Sequence, residues 1–179
     1  MSFKDGYLSF EGYKEKVFRL NDIYWYSSFR ERWAYMEEVL SELKIINPKN
    51  AIEIGTNRVS LMDFSDSIDF DINRIDPDCK NEKLVFDASK TPYPIEDKKY
   101  DVFVALQVLE HLGCRQMEAF KEIERISKHA IITLPYLWDC PEDPVHHQIG
   151  MEKINEWTCG KTPYKTDIRL DRIMLCYEF

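Results

Sequence analysis

Hydrophobic and polar positions alternate along most of the chain in a way that predicts short strands separated by helices. Apolar runs predict strands over residues 51–54, 68–75, 83–86, 101–106 and 130–134. The fourth run is almost entirely apolar, which is typical of a central strand buried on both faces. Apolar residues at helical spacing predict helices over residues 115–127 and 151–157, and a short helix over 59–64.

The two ends of the chain follow other patterns. Trp33, Met36 and Leu40 recur at helical spacing before a break at residues 47–50, so residues 1–50 are predicted to form a helical N-terminal extension. The tail over 166–179 contains two strand candidates without a helix between them, which predicts an antiparallel edge hairpin. The alternation over 51–179 favours a doubly wound, mostly parallel α/β sheet within a single domain spanning 1–179.

Composition narrows the possible classes of function. The 179 residues carry a net charge of −8, and nucleic-acid binding usually requires a basic surface, so a DNA or RNA partner is not expected. The five cysteines are widely spaced and form no C-x-x-C pair, which indicates reduced thiols. No signal peptide or apolar run of membrane-spanning length is evident, so a cytoplasmic protein without a membrane partner is expected.

Ligands of such sheets bind at the carboxyl ends of the strands, so candidate chemistry is sought there. The first strand ends in Glu53, Gly55, Thr56 and Asn57, where glycine permits a tight turn and asparagine tolerates positive φ. An ordinary strand-to-helix turn is the alternative interpretation.

The second and third strands supply acidic candidates. A carboxylate at the second strand end can accept both hydroxyls of a ribose, and Asp76 is preferred over Asp69 and Asp71 because the predicted strand ends near it. Asp87 can accept from an exocyclic amine beside the backbone N–H of Ala88, although helix capping would also explain this carboxylate.

The fourth strand leads to Gln107 and then to Glu110 and His111. Two titratable groups here allow acid–base chemistry. Adjacent helical residues point in different directions, however, so a loop-holding or capping role for this pair is favoured.

Four consecutive motifs resemble those of class I S-adenosylmethionine-dependent methyltransferases. They are Asp87-Ala88, Pro92-Tyr93-Pro94, Tyr100-Asp101-Val102 and Val108-Leu109-Glu110-His111-Leu112. The resemblance covers roughly residues 50 to 136 and depends on the order and gaps of the motifs. It implies a Rossmann-like fold and S-adenosylmethionine as cofactor, with S-adenosylhomocysteine as product.

The resemblance also implies roles for single residues. Glu53 and Gly55, with Thr56 and Asn57, match the cofactor loop around the methionine part. Asp76 matches the ribose-binding carboxylate, Asp87 and Ala88 match the adenine contact, and Gln107 falls where cofactor and substrate meet. The chain departs from the family's Gly-x-Gly-x-Gly loop, and the connection from the second to the third strand is too short for the usual helix.

The loop after the fifth strand is rich in proline and aromatic residues, and such loops often carry binding. Tyr136 and Trp138 are candidates for substrate contact, and His146 or His147 is a candidate general base. A metal site built from Cys140, His146, His147 and Cys159 matches no zinc spacing, so no metal is expected. The aromatic stretch at 24–29 is interpreted either as a lid over the cofactor or as core packing.

The sequence therefore predicts a methyltransferase that acts on a small polar acceptor, such as a sugar or a metabolite. The alternative is a weak or inactive methyltransferase-like module that binds or regulates a partner, because the glycine loop is degenerate. A nucleic-acid or protein methyltransferase remains a third hypothesis, which requires a basic face. Neither the acceptor nor the oligomeric state follows from the sequence.

Overall fold

A seven-stranded mixed sheet forms the centre of the molecule, as described for residues 2–179 by a computed structural model. The chain begins with a separate two-stranded hairpin, β1 (Phe3–Lys4) and β2 (Tyr7–Leu8). The strands of the main sheet are β3 (Ala51–Ile54), β4 (Ser65–Asp69), β5 (Lys83–Val85), β6 (Tyr100–Leu106), β7 (Ser127–Pro135), β8 (Lys165–Arg169) and β9 (Arg172–Glu178). Their order across the sheet is β5-β4-β3-β6-β7-β9-β8.

The pairing confirms the predicted mostly parallel sheet with an antiparallel hairpin at one edge. Within the main sheet, strands β3 to β7 pair in parallel, whereas β9 runs antiparallel to both β7 and β8. After β3 the chain builds outward through β4 and β5, then returns to place β6 on the other side of β3. The strand order therefore reverses between β3 and β6, and the crevice at such a reversal is where ligands of open α/β sheets bind.

Helices cover both faces of the sheet. They are α1 (Phe10–Leu20), α2 (Ile23–Tyr26), α3 (Phe29–Ile46), α4 (Gln116–Ile126) and α5 (Met151–Trp157). Val102 and Val104 of β6 join the apolar cluster beneath α1 and α3, whereas Phe103 and Ala105 join the cluster beneath α4 and α5. This alternation follows from the two-residue period of a strand and confirms that β6 is buried on both faces.

The helical extension predicted over residues 1–50 was wrong at its start, where residues 3–8 form the β1–β2 hairpin, and two further predicted elements were wrong. Residues 59–64 form an irregular loop rather than a helix, with Met62 in an isolated β-bridge to Tyr7. The backbone N–H groups of Leu61 and Met62 donate to the Glu53 carboxylate at 2.8 and 3.1 Å instead of to helical carbonyls. The strand predicted over 68–75 is β4, which ends at Asp69. Beyond it, the Asp71 side chain accepts from the backbone N–H of Asn73 at 2.9 Å and caps a 3₁₀ turn over Ile72–Arg74.

Candidate functional site

A cavity of about 370 Å³ opens at the carboxyl ends of the parallel strands, where the strand order reverses. Its volume lies within the range of small-molecule sites, about 300–1,000 Å³. Residues from the ends of four strands line it, together with Tyr24 from α2. The lining residues are Tyr24, Ile54, Gly55, Asn57, Asp69, Phe70, Arg74, Phe86, Asp87, Ala88, Ser89, Leu106, Gln107, Val108, His111 and Leu112.

The loop after β3 turns sharply along one wall of this cavity. Gly55 has φ +77°, and a Cβ built there would lie 2.2 Å from Val108 Cγ2, so a side chain would collide with the exit of β6. Asn57 has φ 42° and Arg58 has φ 75°, which confirms that Asn57 adopts the left-handed conformation. The indole N–H of Trp25 donates to the Asn57 carbonyl at 3.2 Å and holds the turn. The loop therefore keeps a tight turn without the family's second glycine.

Carboxylates from two strand ends line the cavity. Asp69 ends β4 and is only 6% exposed; its Oδ1 accepts from the backbone N–H of Asp71 at 3.1 Å. Asp87 follows β5 and accepts from the hydroxyl and backbone N–H of Ser89 at 2.7 and 2.9 Å, and these bonds lower its pKa. Ala88 is buried beside it. Asp69 and Asp87 thus place two carboxylates at the wall of one cavity.

Asp76 does not lie at this cavity, and its predicted position at a strand end was wrong. It is fully buried, and its carboxylate accepts from Lys16 Nζ at 2.8 and 3.0 Å. The backbone N–H groups of Ser60 and Asp78 donate to the same carboxylate at 2.8 and 2.9 Å. Because β4 ends at Asp69, six positions before the predicted end at residue 75, Asp69 rather than Asp76 lies at the strand end.

Glu53 also points away from the cavity. Its carboxylate accepts from two backbone N–H groups of the 59–64 segment and from the Ser65 hydroxyl, within the buried interior. Burial nevertheless raises its pKa to about 7. Glu53 therefore fixes the course of the loop from inside the sheet.

Thr56 and Gln107 differ in their relation to the cavity. Thr56 is buried outside the lining, and its hydroxyl has no hydrogen-bond partner within residues 2–179. Gln107 lines the cavity with φ 55°, and its buried side-chain Nε2 has no partner in the described chain. Gln107 thus keeps a hydrogen-bond donor available at this wall.

Most of the predicted substrate loop packs against the protein. The Trp138 indole N–H donates to the Asp171 carbonyl at 2.6 Å, and its ring centroid lies 5.1 Å from the Arg172 guanidinium carbon. Tyr136 packs against the apolar core beneath α4 and α5. His147 Nδ1 accepts from the backbone N–H of Cys140 at 3.1 Å, and so holds the loop together. These three residues do not line the cavity, which contradicts their expected position.

His146 lies next to the cavity and joins a cluster that the sequence interpretation missed. Its ring centroid is 4.9 Å from that of His111, which lines the cavity, and its Nδ1 lies 2.6 Å from Asp143 Oδ2. Glu110 is 4% exposed, and burial raises its pKa to about 8. Burial, and then the neighbouring charge of His146, lower the pKa of His111. No local pattern predicts this cluster, because His146 comes from a different loop.

The aromatic N-terminal stretch divides between core packing and the cavity wall. Trp25 is buried in the core and holds the Asn57 turn, whereas Tyr24 is half exposed and lines the cavity. The Arg32 guanidinium carbon lies 3.7 Å from the Tyr24 ring centroid, which fixes this aromatic wall.

Comparison with known proteins finds similarity in fold but none in sequence. No known family profile matches the chain, and no curated protein matches its sequence. Solved structures, in contrast, match over most of its length. The PH0226 protein from Pyrococcus horikoshii OT3 superposes with a TM-score of 0.64 at 14% identity, covering 84% of this chain and 90% of that protein.

Two further solved structures with the same fold are those of SAM-dependent methyltransferases. A SAM-dependent methyltransferase from Thermotoga maritima, described as a possible histamine N-methyltransferase, gives a TM-score of 0.63 at 14% identity, over 90% of this chain and 97% of its own. A SAM dependent methyltransferase from Aquifex aeolicus gives 0.59 at 14% identity, over 90% and 96%. The chain has the class I methyltransferase fold.

Two observations within this methyltransferase fold fit the cofactor that the fold family uses. The bare Gly55 lets the backbone pass the exit of β6 so closely that a Cβ would close the gap, and Gln107 leaves a buried donor without a partner in the described residues. Both lie in the wall of the same cavity. Among residues 2–179, every helix is too short or too polar to cross a lipid bilayer.

Proposed function

We propose that the chain transfers a methyl group from S-adenosylmethionine to a small polar acceptor. The observation that carries the proposal is the meeting of Gly55, Asp69, Asp87 and Gln107 at one cavity, where the strand order reverses. When bound, S-adenosylmethionine supplies a methyl group that the positive sulfonium already activates. The protein has mainly to hold cofactor and acceptor in line.

The acidic residues suit the adenosine part. Asp69 ends its strand inside the cavity wall, and an ionised carboxylate with two oxygens accepts hydrogen bonds from neighbouring hydroxyls of a ribose. Asp87 stays ionised at neutral pH because Ser89 donates two hydrogen bonds to it. Asp87 and the backbone N–H of Ala88 form a donor–acceptor pair of the kind that an adenine edge requires.

The acceptor side lies toward His111 and His146. With its Nδ1–H donated to Asp143, His146 presents a free lone pair on Nε2, which suits it to take a proton. The net charge of −8 favours a neutral or cationic small molecule over a polyanion. Neither a sugar nor another metabolite is preferred by the geometry.

Calorimetric titration with S-adenosylhomocysteine tests the cofactor site. Asp69→Asn should weaken binding at least about tenfold, because a neutral amide replaces the acceptor of two hydroxyl donors. Asp66→Asn is the matched control: Asp66 lies at the other end of β4, where it accepts from the Tyr100 hydroxyl at 2.7 Å. Absence of wild-type binding, or equal losses in both variants, would overturn the proposal.

Turnover separates the enzyme from a binding module. The same protein is incubated with labelled S-adenosylmethionine and a panel of small amines and alcohols, and methylated product is measured. Binding with no product from any acceptor would support the weak or inactive module instead.

A further inference from the structure

Three potential metal ligands meet beside the cofactor cavity. One ligand atom from each of Glu110, His111 and His146 lies within 4.8 Å of the other two. Glu110 and His111 follow β6, whereas His146 belongs to the loop after β7. The sheet therefore brings together donors that lie 35 positions apart in the sequence.

Glu110 provides independent evidence that a ligand belongs at this position. It is only 4% exposed, and neither of its carboxylate oxygens has a hydrogen-bond partner within residues 2–179. Buried polar groups in native proteins are nearly always hydrogen-bonded, and buried charges are paired or coordinate metals. The unpartnered carboxylate lies against the two imidazoles rather than against a basic side chain within bonding distance.

His146 is oriented as metal-binding histidines usually are. Its Nδ1 lies 2.6 Å from Asp143 Oδ2, so the N–H is donated to the carboxylate and Nε2 keeps its lone pair. Histidine ligands generally donate their other ring N–H to a carboxylate or carbonyl, which fixes the tautomer and the ring. Asp143 thus has the position of an outer partner to a metal ligand.

We propose that Glu110, His111 and His146 bind one divalent first-row metal cation. Two imidazoles and one carboxylate are a common donor set for such ions, and they leave coordination positions open for water or substrate. Ligand atoms at about 2.1 Å from a tetrahedral metal lie roughly 3.4 Å apart, so the separations of up to 4.8 Å in this cluster shorten by at most about 1.4 Å on binding. Rotation of the exposed His111 side chain allows this movement.

The metal would bind and activate the methyl acceptor. This role rests on the proposed function, but the binding of the metal itself does not depend on it. His111 lines the cofactor cavity, and Glu110 lines a second cavity of about 380 Å³ together with Gln116, Lys153 and Trp157. The cluster therefore borders both spaces. In the metal-bound protein, Nε2 of His146 would be a ligand, so the cation and not the imidazole would activate the acceptor. A hydroxyl bound to the cation would lose its proton to water more readily, which would make the oxygen a better nucleophile.

Titration with Mn²⁺ alone tests the site, using the full chain freed of metal and without cofactor. Electron paramagnetic resonance measures free Mn²⁺, and calorimetry gives the stoichiometry. We expect one Mn²⁺ per chain, and binding weakened more than about tenfold by Glu110→Gln and by His146→Asn. The matched control Glu142→Gln removes an exposed carboxylate from the same loop as His146 and should leave binding unchanged.

Denaturant unfolding and S-adenosylhomocysteine binding of Glu110→Gln distinguish loss of the metal site from loss of the fold or of the cofactor site. Glu110→Gln should unfold at no lower denaturant concentration than the wild type, because the carboxyl it replaces lacks a partner among the described residues. It should also bind S-adenosylhomocysteine normally without Mn²⁺. No wild-type binding at about 1 mM Mn²⁺, or binding that both ligand variants retain, would overturn the metal site. Binding of Mn²⁺ without binding of S-adenosylhomocysteine would overturn the proposed function alone.

Discussion

The molecule contains two groups of buried carboxylates that differ in how their oxygens are partnered. Glu53 and Asp76, the interior pair, accept hydrogen bonds from backbone N–H groups, a hydroxyl and a buried lysine. Glu110 and Asp69, the cavity pair, lie at strand exits with few or no protein donors. Carboxylates that are similarly buried therefore differ in role. The interior pair is hydrogen-bonded by the protein itself and is structural, whereas the cavity pair keeps oxygen atoms available to a ligand.

Burial raises the pKa of Glu53 in the interior pair to about 7 and that of Glu110 in the cavity pair to about 8. Glu53 receives three donors that favour its charged form. Neither carboxylate oxygen of Glu110 has a hydrogen-bond partner within residues 2–179, and its charged form is favoured by its own backbone N–H and by the charge of Arg172. A raised pKa alone therefore does not distinguish a structural carboxylate from a functional one. The hydrogen-bond partners make that distinction, because Glu53 has them and the described chain supplies none to the carboxylate oxygens of Glu110.

Removing the lysine should produce the largest effect on the interior pair. Lys16→Met leaves the Asp76 carboxylate buried without its cation, and breaking a buried ion pair costs about 3–5 kcal/mol. Denaturant unfolding measures the loss. Lys14→Met on the same helix is the control, since Lys14 is exposed and its ion pair with Glu11 spans 3.7 Å. Similar midpoints for the two variants would show that the Asp76 contact is not structural.

The pH dependence of stability tests Glu53 separately. Its pKa rises from 4.5 to about 7 on folding, so the folded state binds the proton more tightly than the unfolded chain. The free energy of unfolding should therefore fall by roughly 3 kcal/mol as pH rises from about 4.5 to about 7, and then level off.

Unfolding curves of the wild type and Glu53→Gln across this pH range isolate the contribution of Glu53. The variant should lose that component of the pH dependence. It should also be less stable at low pH by about 1–3 kcal/mol, since one amide group cannot accept from both backbone donors. Parallel curves for the two proteins would contradict the prediction.

Substitution of Gly55 tests the close approach of the backbone to Val108 at the cavity wall. Gly55→Ala combines a strained φ of +77° with a contact of 2.2 Å to Val108, and should cost about 2–4 kcal/mol and weaken S-adenosylhomocysteine binding. Gly160→Ala has a similar φ of +70° but nothing within 4 Å of the added Cβ in the described structure, so it should cost only about 1–2 kcal/mol. A loss no greater than that of the control would mean that the close approach at Gly55 relaxes freely.

Thr56 should give the smallest effect. Its buried hydroxyl has no partner in the described part of the chain, so Thr56→Val should change stability by less than about 1 kcal/mol, in the stabilising direction. Because Thr56 lies outside the cavity lining, binding of S-adenosylhomocysteine should not change. Weaker binding of S-adenosylhomocysteine by Thr56→Val in calorimetry would contradict this prediction and would show that Thr56 contributes to the cofactor site.

The sequence predicted the repeating elements well and the single contacts less well. β3, β6, α5 and the edge hairpin fall where apolar periodicity placed them, because burial of one or two faces is recorded directly in the pattern. The end of β4 was misplaced because Ile72 and Ile75 extend the apolar alternation, although Asp71 caps a turn before them. A capping side chain here overrides hydrophobic spacing.

The sequence by itself determined the succession of the main-sheet strands β3 to β9, the left-handed turn at Asn57, and the presence of Asp87 and Ala88 after β5. Each of these depends on residues that are neighbours in the chain. Only the tertiary structure decided that Asp76 belongs to Lys16, that Asp69 reaches the cavity, and that Glu110 and His111 meet His146. The reason is physical: a carboxylate's function depends on which donors surround it, and those donors come from segments that only folding brings together.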